Sequence, residues 1–353
     1  MADSFKLVEA WRGDLPESLH RGHVVIADES GLRACWGDAD AVIYPRSSCK
    51  MIQALPLIES GAASSAGLTS EQLALSCASH NGAQIHTKRV EAWLKGLGLT
   101  ETDLRCGPQQ PDAVEDRLAL HDAGQSPCQL HNNCSGKHAG FLTLNAHLHG
   151  HADYIEIDHP VQIAIKQAFE EMTGETSPGH GIDGCSAPNF ACTMAGLARA
   201  ASAMARPDTL GKARGNAARS LVCAMMAHPL LVSGEGRACA ELMVAAKGRA
   251  AIKTGAEGVF LAILPDMGAG ASLQTLAKPA GPSRRWPSPP SRLCRSTRAV
   301  KRQTLPVHPS RARLAAAGEF LYPLAMKRVF DIADRNRLPW RFHAETLVLC
   351  AAG

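Results

Sequence analysis

What most restricts the fold of this chain is the position of its strand-like segments, which lie on either side of a long helical stretch. Leu7-Val8-Glu9-Ala10-Trp11 is one candidate strand. His23-Val24-Val25-Ile26-Ala27 and Leu32-Arg33-Ala34-Cys35-Trp36 flank a turn at Asp28-Glu29-Ser30-Gly31, which reads as a hairpin. The next clear strand is Gly258-Val259-Phe260-Leu261-Ala262-Ile263-Leu264. Between them the periodicity is helical. Thr69-Ser70-Glu71-Gln72 is a capping box before Leu73, Leu75 and Cys77, and a second helix runs near Thr87 to Lys95. Asp158-His159-Pro160 opens a helix with Val161, Ile165, Ala168 and Met172 as its buried stripe, and Ala191 to Met204 and Ala217 to Met226 are alanine-rich helices. Strands separated in this way must find each other across the helical part, about residues 65–250. The pattern predicts an α+β domain over residues 1–271, with an antiparallel sheet built from both ends and flanked by helices. Hydrophobic residues make up 45% of the chain and aromatics 5%, so Ala, Leu, Val and Met must fill the core.

After about Ala271 the texture changes, and residues 272–353 read as a separate, atypical Arg/Pro/Ser-rich segment. The run from Pro279 to Arg313 holds eight Arg and one Lys but no Asp or Glu. Such a composition buries too little apolar surface to order itself. A mild helical pattern returns near Phe320 to Ile332, while Trp340 to Cys350 has no obvious partner. The formal charge of +4 comes from the basic run; the rest of the chain carries 28 basic residues against 33 acidic. No basic field for nucleic acid remains. Met1 to Lys6 carries no apolar signal region, and no run approaches the roughly 18 apolar residues of a membrane span. Twelve irregularly spaced cysteines without an export signal point to reduced thiols or metal ligands, hence to a cytoplasmic protein without membrane partners.

Five short motifs carry chemistry. Tyr44-Pro45-Arg46-Ser47-Ser48-Cys49-Lys50 opens a helix bent at Pro56 and sets Ser47 and Lys50 on one helical face, a serine nucleophile with a lysine base. Cys77-Ala78-Ser79-His80-Asn81-Gly82 ends a helix with a serine beside glycine, which also serves as a plain helix stop. Residues 100–130 read as an irregular excursion. His131-Asn132-Asn133-Cys134-Ser135-Gly136-Lys137-His138 is a polar loop entering a helix, suited to holding a substrate carboxylate. In Gly181-Ile182-Asp183-Gly184-Cys185, Asp183 either grips an α-ammonium group or forms a local turn. Lys253-Thr254-Gly255-Ala256-Glu257-Gly258 precedes the last strand. Ser-x-x-Lys, Ser-x-Asn and Lys-Thr-Gly, in this order, are the signatures of penicillin-recognising serine enzymes.

Together these motifs resemble the Rhizobium-type L-asparaginase family over roughly residues 5–270, a family that shares its fold with serine β-lactamases and glutaminases. The resemblance implies hydrolysis of L-asparagine to L-aspartate and ammonia by a homodimer. It implies two Ser-Lys pairs, Ser47 with Lys50 and Ser79 with Lys253, and a zinc site from Cys134, Lys137 and Cys239. Arg46, His138 and Asp183 are the candidates for the substrate's α-carboxylate and α-ammonium, with a structural hydrogen-bonding role open to Arg46. In the expected mechanism Ser47 attacks the amide carbon and a neutral Lys50, its pKa lowered by burial and by Lys253, takes the proton while Ser79 relays it to ammonia. Sequence does not decide which serine is the nucleophile, nor between asparagine and glutamine. The alternatives are a β-lactamase or penicillin-binding enzyme, and an inactive binding homologue. Family members continue past Leu264 into a further strand and a C-terminal helix. Here Gly268-Ala269-Gly270-Ala271-Ser272-Leu273 begins that continuation and then loses the pattern, as a reading-frame change near residue 272 would produce.

Overall fold

Val259–Leu264 is apolar at every position and buries every side chain. A strand with no polar face belongs inside a sheet that is covered on both sides. The computed structural model describes residues 4–12 and 15–276 and places this strand in a six-stranded sheet. Its members are β1 (Phe5–Arg12), β2 (Leu15–Asp28), β3 (Gly31–Trp36), β4 (Ala251–Thr254), β5 (Val259–Leu264) and β6 (Ala269–Leu276). The order is β1-β2-β6-β5-β4, with β3 also paired to β2, and every pairing is antiparallel. The fold class expected from the sequence is the one observed, α+β with an antiparallel sheet flanked by helices.

The two ends of the domain meet at β6. Gly270 to Leu276 pair with Ala27 to Arg21 on one side, and Ala269 to Gln274 pair with Leu264 to Val259 on the other. The boundary expected at residue 271 is therefore corrected, because the strand continues to Leu276. Ser272 breaks its apolar pattern but is buried at no cost in hydrogen bonding, since its hydroxyl donates to the Met194 carbonyl at 2.8 Å. The basic Pro279–Arg313 run, the Phe320–Ile332 pattern and the Trp340–Cys350 segment lie outside the described residues, as does the bulk of the segment assigned to a frame change.

Helices α1 (Ser70–Ser76), α2 (Ser135–Leu148), α3 (Pro160–Thr173) and α4 (Met194–Ala205) pack in succession, α1 on α2, α2 on α3 and α3 on α4. The capping box at Thr69 forms as expected: its N–H donates to Gln72 Oε1 at 2.8 Å, and the Gln72 N–H returns to Thr69 Oγ1 at 3.4 Å. The α3 stripe of Val161, Ile165, Ala168 and Met172 is buried. α4 begins at Met194 rather than Ala191, because Cys192–Thr193 form a short ladder with Val42–Ile43 and the Thr193 hydroxyl caps the Gly196 N–H at 2.8 Å. It crosses the sheet at Gly270, where a Cβ would stand 2.2 Å from the Ser202 nitrogen. That contact is backbone against backbone and requires glycine.

Two local expectations change. The single helix expected from Ser47 is three pieces: a 3₁₀ turn Arg46–Cys49, then short helices Lys50–Gln53 and Leu55–Glu59, with Pro56 in the first turn of the last. Residues 100–130 contain a helix, Val114–Asp122, that buries none of its residues and so leaves no apolar stripe to read. Among the described residues no helix is long and apolar enough to cross a membrane.

Candidate active site

The loop after α1 delivers Ser79 into the interior, where its N–H donates to the Val232 carbonyl at 2.9 Å. Its hydroxyl oxygen accepts from two lysines, Lys50 Nζ at 2.9 Å and Lys253 Nζ at 2.8 Å. Lys50 also donates to the Ala78 carbonyl and to Cys134 Sγ, the latter at 3.1 Å, and Lys253 donates to the Thr254 carbonyl at 2.8 Å. Ser79, Lys50 and Lys253 are all buried. Burial and then the neighbouring Lys50 ammonium push Lys253 down from 10.5 to about 7. The expected Ser79–Lys253 pair is formed.

The expected Ser47–Lys50 pair is not. The Ser47 hydroxyl has no hydrogen bond among the described residues, and Lys50 turns inward to Ser79 instead. A 3₁₀ turn sets residues three apart one above the other, so spacing does not part them; Lys50 leaves Ser47 for the buried acceptors at Ala78 and Ser79. Ser47 stays half-buried and is more accessible than Ser79. The Lys253 motif nonetheless reaches the Ser47 turn. A Cβ on Gly255 would lie 2.4 Å from the Pro45 carbonyl oxygen and 3.0 Å from the Ser48 nitrogen, so only glycine lets the two segments touch.

Arg46, held at φ +53, forms an ion pair through Nε with Asp183, and its Nη1 lies 3.6 Å from Glu257. Asp183 is also the start of a turn, its carbonyl accepting the Ser186 N–H at 2.8 Å. The turn reading of Asp183 is thus formed, and its carboxylate is held by Arg46. His138 behaves differently. It is fully buried in α2, its Nδ1 accepts the Tyr154 hydroxyl at 2.9 Å, and it makes no bond to Arg46 or Asp183. Burial lowers its pKa to about 4, which leaves a neutral ring with no charge to offer a carboxylate. Its expected place in a charged substrate clamp is corrected accordingly.

The cysteines form a second cluster. Lys137 Nζ donates to Cys185 Sγ at 3.1 Å. The single thiol hydrogen of Cys134 has two acceptors in reach, Asn133 Oδ1 at 3.0 Å and the Cys185 sulfur. The hydrogen bond from Cys134, together with Lys137 and His138, holds the Cys185 thiol well below its ordinary range against the opposing effect of burial. Burial works to lower Lys137, but Cys185, Cys134 and Asp183 outweigh it and raise its pKa. With Nδ1 accepting from Tyr154, the neutral His138 ring carries its hydrogen on Nε2, buried beside Cys185. Two sulfurs and a nitrogen in one buried place are a donor set that fits zinc once Lys137 has lost its proton. The third member of the expected zinc triad is corrected: Cys239 lies with the Lys253 strand, its sulfur accepting the Thr254 N–H at 3.1 Å. The sulfur set beside Cys134 and Lys137 is that of Cys185.

Sequence reasoning also passed over His80, whose Nδ1 accepts the Gly82 N–H at 3.1 Å while Nε2–H donates to Ser135 Oγ at 2.9 Å. That bridge ties the Ser79 loop to the start of α2. The adjoining serine and glycine were the only signal for it.

The model of the L-asparaginase II family matches residues 8–276, which takes in every residue of both clusters. The chain belongs to the L-asparaginase II family. Members of the L-asparaginase II family are amidohydrolases that act by a serine–lysine mechanism. No curated protein matches the chain. Among solved structures it is similar to Mglu in its native form, at 15% identity and TM-score 0.37, covering 72% of this chain and 58% of that one. It is similar to a putative β-lactamase from Bacteroides dorei at 10% identity and TM-score 0.44, covering 73% and 85%. A probable glutaminase from Bacillus subtilis complexed with 6-diazo-5-oxo-L-norleucine gives 13% identity and TM-score 0.31, covering 72% and 76%. The chain thus spans about 58% of the length of Mglu.

Proposed function

We propose that this L-asparaginase II family chain hydrolyses L-asparagine to L-aspartate and ammonia through an acyl-enzyme. The observation that carries the reading is the Ser79 hydroxyl held between two buried lysines, one of them with its pKa near 7. A lysine at its ordinary value would be charged and could not accept a proton; one near 7 can. In this reading the more accessible Ser47 attacks the side-chain amide carbon. For this the Ser47 hydroxyl, unbonded among the described residues, must turn to Lys50 when substrate binds; its proton then enters the Lys50–Ser79–Lys253 chain of hydrogen bonds and ends on Lys253. The tetrahedral adduct collapses as the C–N bond breaks, and the same chain returns the proton to the leaving nitrogen as ammonia. Water then attacks the Ser47 ester, and the proton follows the reverse course. Arg46 receives the α-carboxylate, and Asp183 braces the guanidinium through their ion pair.

One observation favours a second reading: Ser79, and not Ser47, is bonded to the lysine with the lowered pKa, which makes Ser79 the nucleophile with Lys253 as its base. Trapping the acyl-enzyme separates them. Loss in Ser47→Ala with retention in Ser79→Ala supports the first; the opposite result supports the second. Absence of ammonia release from asparagine by the purified wild type sinks both.

Zinc, where bound, would be held by Cys134, Lys137 and Cys185 and would supply a fixed positive charge beside the lysine network. To bind it, Lys137 must give up its proton. We further infer a cytoplasmic homodimer. The dimer is tested by the mass in solution, which a monomeric value would refute.

A further inference from the structure

Arg46 is faced by more negative charge than it needs. Its guanidinium is bonded to Asp183 through Nε, and a second carboxylate, Glu257, stands 3.6 Å from Nη1. Arg46, Asp183 and Glu257 sum to −1; Lys137, which also acts on Asp183, is taken up by the lowered Cys185 thiol that it bonds. The two acids are not equivalent. The Asp183 side chain is 11% exposed and belongs to a hydrogen-bonded turn, whereas that of Glu257 is 72% exposed and reaches Arg46 only loosely. Glu257 sits in the turn between β4 and β5 at φ +57, a region that non-glycine residues enter at a cost. The same turn is pinned to the Ser47 segment through Gly255. The backbone thus presents Glu257 beside the serine turn.

We propose that Glu257 is a specificity-determining residue that reads the α-ammonium group of the substrate, selecting α-amino acids over their deaminated counterparts. The inference rests on the amide-hydrolysis reading above and adds to it the residue that distinguishes an amino acid from its deaminated counterpart. An incoming α-carboxylate that docks on Arg46 displaces one of its acids. Asp183 is fixed, so the displaced group is Glu257. A freed carboxylate in a corner that is already negative needs a cation, and the α-ammonium of an amino acid is the cation that arrives with the α-carboxylate. A molecule with the carboxylate alone would crowd three anions around one guanidinium. The excess charge therefore works as a filter against acids that lack the amino group.

The test compares L-aspartate with succinate, the same product without its amino group, by equilibrium calorimetry on the full chain and its Glu257→Gln and Glu257→Gly variants. Ammonia release from L-asparagine and from succinamate is followed alongside. Gln keeps the shape and removes the charge; Gly removes the side chain and suits φ +57, so it guards against a misfolded first variant. The wild type is expected to prefer the amino compound in both assays. Each variant is expected to lose about twofold to fivefold of that preference, the range of a solvent-exposed charge pair, with the change in KM rather than kcat. Unchanged aspartate-to-succinate ratios in both variants, or no preference in the wild type, overturn the inference. A shifted binding ratio without ammonia release from any form leaves the clamp standing and removes the hydrolytic reading instead.

Discussion

Lys253 has two effects on the protein that run in opposite directions. As a base it is useful only when neutral, so ammonia release should rise with pH along a limb centred on its value of about 7. In Lys253→Met that limb should vanish and the rate should fall by about 10²–10⁴, as for removal of a general base. As a buried cation it is a liability. Its folded pKa lies below its ordinary 10.5, so between pH 7 and 10.5 the unfolded chain holds a proton that the folded chain has lost. The unfolded state binds more protons there, and stability must rise with pH across that window. Melting curves at several pH values should show this slope in the wild type and a shallower one in Lys253→Met. The sulfur cluster makes a separate prediction: zinc added to the metal-free protein should raise the melting temperature and release protons into a weak buffer, and Cys185→Ser should abolish both while Cys239→Ser should not. Cys134 and Lys137 were legible as a pair because they are three residues apart on one helix start. Their partner was not, since the choice between Cys185 and Cys239 depends on which loop the fold brings to α2.

Elements in this molecule are held at their closest approaches by residues that carry no side chain. Gly270 is where α4 lies directly on β6, and a methyl group there would meet the Ser202 nitrogen and the Ala201 backbone. Gly270→Ala should therefore destabilise the protein by about 1–3 kcal/mol, seen as a lower urea midpoint. At the other end of the scale, Thr69→Ala removes only a helix cap and should cost about 1 kcal/mol. The sequence showed these elements unevenly. The capping box, the α3 stripe and the β2–β3 hairpin were plain because each is a local pattern with a local cause. The broken helix after Arg46 was hidden, because it depends on Arg46 adopting φ +53 against the Gly255 turn, a contact between segments far apart in the chain. The exposed helix Val114–Asp122 was hidden for the opposite reason, burying no side chain that would leave a pattern.

At the scale of the whole molecule the motifs gave the correct neighbours for Ser79 and Lys253, because the sheet topology brings β4 and the α1 loop together in the way their order along the chain suggested. They could not give the hand-over of Lys50 from Ser47 to Ser79, which is settled by burial rather than by spacing. The sheet also governs how the protein is made. β6 is inserted between β2 and β5, so the strand that completes the pairing of His23 to Ala27 is the last of the described strands to be translated. At about 5–20 residues per second, the amino-terminal strands wait roughly ten to fifty seconds after leaving the ribosome before that partner exists. During that interval Val24 and Val25, buried in the finished sheet, have no cover from it, and their open hydrogen-bonding edge is a template for other nascent chains. A chain ended at Gly268 is accordingly expected to appear in the insoluble fraction when expressed beside the full chain, and to be rescued in part by chaperone overproduction. The cover of that edge is thus a matter of timing: it rests on eight residues, Ala269–Leu276, that are made about 245 residues after the edge they close.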